Sequence, residues 1–228
     1  MVRVGSLFSG IGGLDLGLER AGMTVVWQSE IDPYASRVLA KHWPDVPNLG
    51  DITTIDWSTV DHVDLICGGY PCQPFSTASH GQRVSPNLWP WFASAVRILR
   101  PRVVLLENVA AHLGLGFADV LGDLATLGFD AEWSALSACA LGASHPRRRL
   151  FVVAYANQGS EPVRPEHDQT SFMRHPPIHC WRWGVPTSDD VRADDGIPHR
   201  VDRLKCLGNA VVPQVAECVG RRIMDAAA

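Results

Sequence analysis

The start of the chain places a glycine-rich turn between a strand-like run and a helix-like run, and this order constrains the fold more than any other feature. Residues 3–8 are mostly apolar and predict a strand, while residues 14–21 have a helical period that stops at Gly22. The turn occupies residues 9–13, and residues 24–29 predict a second strand. A strand, a glycine turn, a helix and a second strand in this order are typical of an α/β sheet.

The same alternation continues along the chain to residue 156. It indicates a doubly wound α/β sheet, in which ligands bind beyond the carboxyl ends of the strands. The further predicted helices are at residues 34–42, 88–99 and 117–127, and the further predicted strands at residues 61–67, 102–107, 129–136 and 149–156.

The chain changes character at Asn157. Gly, Pro, Ser, His and charged residues dominate from there to about residue 198, without a clear period, and aromatic residues alternate with cations, as in Trp181-Arg182-Trp183. Two interpretations stay open: a nucleic-acid contact, where planar groups stack and cations meet phosphates, or an irregular loop held to the core by its tryptophans. Order is expected to resume at Arg200, with a helix beginning at Pro213.

Composition and charge bound the class of protein. At 228 residues, with 46% hydrophobic and 19% charged residues, one main globular domain is expected. The sequence contains no secretion signal and no apolar run long enough to span a bilayer, which predicts a cytoplasmic protein. The six cysteines include no C-x-x-C pair, so neither a disulfide framework nor a metal site is predicted. The net charge of −4 argues against a polyanion bound over the whole surface, although residues 142–205 carry a small basic excess.

Cys72 is the candidate nucleophile. It stands between two prolines in the run Gly-Gly-Tyr-Pro-Cys-Gln-Pro, directly after the strand predicted at residues 61–67. A thiol on a rigid turn at the carboxyl end of a buried strand is placed for attack. Because a free cysteine has a pKa of about 8.5 and reacts as the thiolate, such a site needs supporting groups.

Glu30 and the glycine turn predict a nucleoside pocket. Glu30 lies 20 residues beyond Gly10, at the end of a predicted strand, where a carboxylate can accept hydrogen bonds from ribose hydroxyls. The turn is not a full G-x-G-x-x-G sequence, so S-adenosylmethionine fits as well as a dinucleotide. Asp51, after Gly50, could contribute a second carboxylate for an exocyclic amine, or could cap a helix.

Glu107 and two arginines are further candidates for chemistry. Glu107 follows an apolar strand and should emerge at the same sheet edge as Cys72, where partial burial would raise the pKa of its carboxyl group; a helix cap is the alternative. Arg147 and Arg149 lie at the start of the last predicted strand. In extended backbone their side chains would point the same way, toward a carbonyl oxygen or a phosphate, and a solvated basic edge is the alternative.

These residues occur in the order of a known series of motifs. The chain resembles the DNA (cytosine-5)-methyltransferases, and among them the compact enzymes of phages and prophages. The resemblance covers residues 4–156 and 200–220. The matching segments are Phe8-Ser9-Gly10-Ile11-Gly12-Gly13, Glu30, Gly50-Asp51-Ile52, Gly69-Tyr70-Pro71-Cys72-Gln73, Glu107-Asn108-Val109, Arg147-x-Arg149 and Gly208-Asn209-Ala210-Val211-Val212-Pro213.

The resemblance implies methylation of cytosine at C5 in double-stranded DNA. Cys72 would add to C6 of a cytosine flipped out of the duplex, since the ring atoms cannot be reached within the base stack. Glu107 would hold N3 and the exocyclic amine, Arg149 would contact the base O2, and Arg147 would assist near the same site.

The resemblance also implies the cofactor, S-adenosylmethionine, and the residues that hold it. Phe8 would pack on the adenine, Glu30 would bind the ribose and Asp51 the adenine amine, while the backbone of Ser9, Gly10, Ile11, Gly12 and Gly13 would line the methionine. The remaining implied contacts are Ile31, Ile52, Pro71, Leu88, Asn209, Ala210 and Val211.

By the same resemblance, residues 1–156 form a catalytic and cofactor-binding core. Residues 157–199 form a short target-recognition segment, and residues 200–228 complete the catalytic domain. A monomer is expected, and a restriction endonuclease partner stays open. Two other hypotheses also stay open: a non-catalytic relic that binds DNA or S-adenosylmethionine, and an enzyme that methylates cytosine in tRNA.

Overall fold

A six-stranded sheet lies at the centre of the computed structural model, which describes residues 1–71, 86–114, 116–157 and 200–226. Cys72 and nearly all of the predicted recognition segment lie outside the described residues. The strands are β1 (Arg3–Leu7), β2 (Thr24–Ser29), β3 (Leu65–Gly68), β4 (Val103–Val109), β5 (Phe129–Ser137) and β6 (Arg148–Ala156).

The strands have the order β2-β1-β3-β4-β6-β5. β1 pairs in parallel with β2 and β3, and β3 pairs in parallel with β4. β6 is antiparallel to both of its neighbours, β4 and β5. The carboxyl ends of β1 to β4 therefore meet at one edge, where an α/β sheet of this type binds its ligands.

Helices cover both faces of the sheet, which confirms the doubly wound prediction. α1 and α6 share an apolar cluster on one face, which includes Leu18 and Val219, and α3 and α4 contribute Phe92 and Leu124 to a second cluster on the other face. The helices are α1 (Gly13–Arg20), α2 (Pro33–His42), α3 (Trp89–Leu99), α4 (Phe117–Thr126), α5 (Arg200–Asn209) and α6 (Pro213–Ala226), and short 3-10 helices lie at Trp57–Thr59, Ala110–Gly114 and Ala138–Leu141.

Glycines let α1 and α6 approach each other closely. A Cβ atom on Gly17 would lie 2.3 Å from the Cβ of Ala216, and one on Gly220 would lie 2.8 Å from the Cβ of Ala21. Neither distance is compatible with a larger side chain in the same place. The C-terminal helix therefore packs directly against the helix that follows the glycine turn.

The predicted elements match the structure closely, except for the strand expected at residues 61–67. That strand begins only at Leu65, because Asp61 and His62 are exposed and Asp64 is engaged with the start of β1: the backbone N–H of Arg3 donates to its carboxylate at 2.8 Å. The other strands and helices begin and end within two residues of their predicted bounds.

Candidate active site

Glu107 lies near the carboxyl end of β4, beside the chain that leaves β3. A Cβ atom on Gly69, just after β3, would lie 2.8 Å from Oε2 of Glu107. Because β3 and β4 are neighbouring parallel strands, the segment leading to Cys72 passes directly against this carboxyl group. Cys72 itself follows Gly69 by three residues and is not among the described residues.

Glu107 is buried and paired with Arg149. Its side chain lies within 3.1 Å of the guanidinium, measured from Oε1 to Nε, in an ion pair without the alignment of a hydrogen bond. Burial raises the pKa of Glu107 to about 7, against the opposing charges of Arg149 and Arg147. A carboxyl group poised near neutral pH can both donate and accept a proton.

Arg147 holds the C-terminal segment to the sheet. It lies just before β6 with a φ of 21°, so it is outside the extended geometry that would align its side chain with that of Arg149. Its guanidinium donates to the backbone carbonyls of Gly208, at 2.9 Å, and Ala210, at 2.5 Å. Burial lowers the pKa of Arg147. The two arginines thus differ in their partners: Arg149 faces Glu107, and Arg147 fixes the segment after α5.

Tyr70 and His112 form a buried pair that the sequence did not indicate. The Tyr70 hydroxyl lies 2.5 Å from Nε2 of His112, and Asn108 donates through Nδ2 to the Tyr70 carbonyl at 3.3 Å. Both rings are almost fully buried. These contacts anchor the backbone immediately before Pro71 and Cys72 to the end of β4 and to the 3-10 helix that follows it.

Glu30 joins the ends of β1 and β2. One carboxylate oxygen accepts from the backbone N–H of Gly10, and the other accepts from that of Asp32, both at 2.7 Å. The turn itself is tightly wound, since Phe8, Gly10 and Gly12 all have positive φ, at 55°, 57° and 80°. For Phe8 this conformation is unusual, because it crowds the Cβ of a non-glycine residue.

Asn48, which was not predicted, holds the backbone of Glu30 in place. Its Oδ1 accepts from the backbone N–H groups of Glu30 and Gly50, and its Nδ2 donates to the carbonyl of Glu30. Asp51 follows directly and accepts from the backbone N–H and hydroxyl of Thr53, which lower the pKa of its carboxyl group. Asp51 therefore caps a turn, and Asn48 aligns that turn with Glu30.

The C-terminal segment reaches the glycine turn. A Cβ atom on Gly13 would lie 2.3 Å from the carbonyl oxygen of Val211, so the two backbones are in direct contact. Beside them is a cavity of about 1090 Å³, whose walls include Gly12, Arg147, Arg149 and Val211. Residues from the first and last parts of the chain therefore share one site.

The other residues expected to contact the cofactor differ in their exposure to solvent. Phe8, Pro71 and Leu88 are half-buried, and Ala210 is too, whereas Asn209 is exposed. Ile31 is 69% exposed and Ile52 only 4% exposed. Ile52 is a core residue, and any contact with a ligand there would involve a small part of its surface.

Solved structures with the same fold are known. The described fold is similar to the crystal structure of a protein assigned as a DNA modification methyltransferase and encoded within an E. coli prophage, with a TM-score of 0.58 and 29% identity over 68% of this chain and 47% of the other. It is also similar to the S. pombe Dnmt2 methyltransferase, with a TM-score of 0.60 and 22% identity over 71% and 53% of the two chains. The second likeness concerns the fold alone. Together they place the sheet in the class of methyltransferase folds.

The sequence identifies the family within that class. Residues 2–178 match the family described as C-5 cytosine-specific DNA methylase, and the chain belongs to this family. It is 34% identical over 211 residues to the type II methyltransferase M.MspI of a Moraxella species, covering 86% of this chain and 50% of that protein. It is 36% identical over 164 residues to the type II methyltransferase M.NgoBI of Neisseria gonorrhoeae, covering 69% and 51%. The chain thus spans about half the length of these curated relatives.

The family uses S-adenosylmethionine, and the edge formed by β1 and β2 fits that group. Glu30 offers a carboxylate for ribose hydroxyls, and no heavy atom lies within 4 Å of where a Cβ on Gly10 or Gly50 would stand. Open space around a backbone of positive φ allows a ligand to approach the main chain closely.

The described residues contain neither a cluster suited to a metal ion nor a helix suited to crossing a membrane. They contain no group of three or more His, Cys, Asp or Glu residues that could hold a metal ion. None of the described helices is both long enough and apolar enough to cross a bilayer.

Proposed function

We propose that this chain is a DNA (cytosine-5)-methyltransferase that modifies a cytosine flipped out of duplex DNA, with Cys72 as nucleophile. The observation that carries the proposal is the buried Glu107–Arg149 pair, against which the chain from β3 to Cys72 passes. This arrangement supports a nucleophile and a proton donor acting on opposite sides of one small ring. DNA as the substrate follows from the family and from its type II relatives.

In the proposed reaction the Cys72 thiolate forms a bond to C6 of the cytosine. Electron density moves toward C5 and N3. Glu107, with a pKa of about 7, supplies a proton to N3 or donates a strong hydrogen bond to it. The same carboxyl group accepts a hydrogen bond from the exocyclic amine. Arg149 keeps Glu107 oriented and contacts the base O2. After C5 has gained its methyl group, the C5 proton leaves to water, N3 returns its proton to Glu107 and the Sγ–C6 bond breaks, which regenerates the thiolate.

The cofactor pocket is proposed from the glycine turn and the ends of three strands. S-adenosylmethionine, when bound, supplies the methyl group from its sulfonium. Glu30 would bind the ribose hydroxyls, Asp51 the adenine amine and Phe8 the adenine face, with the Ser9 to Gly13 backbone beside the methionine. Asn209, Ala210 and Val211 would close the pocket from the C-terminal side. The remaining proposed contacts are Ile31, Ile52, Pro71 and Leu88.

The division of the chain is part of the proposal. Residues 1–156 would form the catalytic core, residues 157–199 a short target-recognition segment, and residues 200–228 the remainder of the catalytic domain. A phage-type enzyme is supported by the likeness to the prophage-encoded methyltransferase. We propose that it acts as a monomer.

Transfer of tritium from labelled S-adenosylmethionine to mixed duplex DNA tests the activity. The wild-type chain is expected to label DNA, and bisulfite sequencing of plasmid from expressing cells is expected to show 5-methylcytosine at a repeated sequence. The Cys72→Ser variant serves as the matched control, because it should bind the cofactor and transfer nothing.

The result separates the main alternatives. Cofactor binding without any transfer by the wild-type chain would overturn the proposal in favour of a non-catalytic relic. Preferential labelling of tRNA over duplex DNA would instead revise the substrate. Near wild-type turnover by Cys72→Ser would remove Cys72 from its proposed role.

A further inference from the structure

A row of buried polar side chains crosses the sheet beneath the glycine turn. Ser6 of β1 is in register with Gln28 of β2 on one side and with Cys67 of β3 on the other. Their relative exposures are 0%, 1% and 0%. The row lies one residue before the ends of these strands, and therefore one layer below the proposed cofactor pocket.

Asp15 of α1 lies against this row with its carboxyl group fully buried. Neither of its oxygens, nor either amide atom of Gln28, has a hydrogen bond of ordinary geometry to the described residues. Ser6 and Gln28 are nevertheless close enough to favour the ionised form, against the burial that raises the pKa of Asp15 to about 6. Asp15 in turn raises the pKa of the Cys67 thiol, after the larger effect of burial. Burying a carboxyl group costs free energy, so its presence on the buried face of a helix indicates a role.

Ser9 connects this row to the turn. Its hydroxyl donates to Oγ of Ser6 at 2.9 Å and lies 3.1 Å from the carbonyl of Ser6. Its backbone carbonyl accepts from Gly12 at 2.9 Å, and its backbone N–H donates to Ser29 at 3.2 Å. Ser9 is thus bonded both to the buried row and to two further points of the turn.

We propose that Asp15 is a positioning residue for the cofactor-binding turn and acts through the hydroxyls of Ser6 and Ser9. The Ser6 hydroxyl accepts from Ser9, and the nearby Asp15 carboxylate, which has no hydrogen-bond partner among the described residues, orients the Ser6 hydrogen toward itself by its charge. This direction of donors holds the Ser9 hydroxyl in place and, with it, the backbone of residues 8–13. The inference rests on the proposed function, because it requires that this turn binds S-adenosylmethionine.

A set of four variants tests the inference by calorimetric titration of S-adenosylmethionine without DNA. Asp15→Ala and Ser6→Ala are expected to weaken cofactor binding at least tenfold. Asp15→Asn keeps an oxygen acceptor of the same shape and is expected to stay within about threefold of wild type. Leu124→Ala is the matched control, since Leu124 is fully buried but belongs to α4, on the other face of the sheet.

Leu124→Ala should lose stability and keep wild-type cofactor affinity. In steady-state methylation, Asp15→Ala should raise the KM for S-adenosylmethionine and leave kcat within about twofold, because the base-modifying groups are not touched. Cofactor binding as tight as wild type in Ser6→Ala or Asp15→Ala overturns the inference, as does an equal loss in Leu124→Ala. If Asp15→Ala does not fold, Ser6→Ala and Asp15→Asn decide the question. Failure of the wild-type chain to bind S-adenosylmethionine would refute the proposed pocket, which is a different result.

Discussion

At the scale of single residues, Glu107 shows how burial and charge set a protonation state together. Removal from water favours the neutral acid, and the nearby guanidinium groups of Arg149 and Arg147 favour the carboxylate. The balance leaves a pKa of about 7, between the values that either influence would produce alone. Such a group costs stability, and its pKa suits the proton transfer proposed for it.

The stability cost of Glu107 should depend on pH. Since the pKa rises from 4.5 in the unfolded chain to about 7 in the folded one, the folded state is favoured below pH 4.5 and loses that advantage as the pH rises toward 7. Glu107→Gln removes this titration. Its free energy of unfolding, relative to wild type, should therefore increase by about 2–3 kcal/mol between pH 5 and pH 8.

Chemical denaturation at several pH values measures this difference. Asp15 titrates equally in both proteins, so its contribution cancels. A difference between the two proteins that stays constant from pH 5 to pH 8 would contradict the raised pKa. The variant should also lose most of its methyl transfer.

Tyr70 and His112 should matter to turnover more than to cofactor binding. Tyr70→Phe removes the hydroxyl bonded to His112 and is expected to cost about 1–2 kcal/mol of stability and to lower kcat, because the backbone before Cys72 loses an anchor. Cofactor affinity should not change. Tyr155→Phe on β6 is the matched control, and equal kcat values for the two variants would argue against the anchor.

Some of these residues could be predicted from the sequence, and others could not. Glu107 and Glu30 could be predicted because each follows an apolar strand, and neighbouring parallel strands end at one edge. Asn48, His112 and Asp15 could not, because their partners lie far away in sequence or on another element and no local pattern records the contact. Arg147 shows a further limit, since its positive φ redirects a side chain whose position seemed fixed by alternation.

At the scale of elements, the contact between α1 and α6 depends on small residues. Gly17 faces Ala216 and the carbonyl of Pro213, and an added Cβ would lie 2.3 Å and 2.5 Å from them. The apolar positions of α6 could be predicted from its helical period. The close approach could not, since a glycine inside a helix indicates only that a side chain is missing, and the partner helix is some two hundred residues away in the chain.

Gly17→Ala should therefore destabilise the fold by about 1–3 kcal/mol, because one of the two helices must move. It should also weaken cofactor binding, since Val211, just before α6, contacts the first residue of α1. Gly122→Ala in α4 is the matched control. No heavy atom lies within 4 Å of its added methyl, so this variant should gain about 0.5–1 kcal/mol.

Thermal unfolding in the presence and absence of S-adenosylmethionine measures both effects. If Gly17→Ala and Gly122→Ala change the free energy of unfolding in the same direction and by similar amounts, the helix contact is looser than the structure indicates.

At the scale of the whole molecule, one sheet edge collects groups from both ends of the chain. The glycine turn and Glu30 come from the first thirty residues, Glu107 from the middle, and Ala210 and Val211 from the C-terminal segment that Arg147 holds in place. The order of elements was predictable from their alternation along the chain. The antiparallel placement of β6 between β4 and β5 could not be predicted, because the sequence of an apolar strand does not indicate whether it pairs in parallel or antiparallel.

Binding at this edge should stabilise the entire fold. At a cofactor concentration of about 100 times Kd, S-adenosylmethionine should add about 2.7 kcal/mol to the free energy of unfolding. For a chain of this size that is expected to raise Tm by about 5–10 °C. The Cys72→Ser variant should show the same rise, whereas Glu30→Ala should show a much smaller one. A full rise in Glu30→Ala would remove Glu30 from the pocket.

The packing of α6 on α1 also sets an order of events during synthesis. The glycine turn, its helix and Glu30 leave the ribosome early, but the surface that α6 covers on α1 has no partner until nearly all of the described chain has been made. Chaperone binding to the growing chain would thus be concentrated on the exposed face of α1, at Leu14 and Leu18. By the proposed function, the capacity to bind the cofactor is acquired last, so a chain that stalls before residue 213 carries the candidate catalytic residues and is expected to leave DNA unmodified.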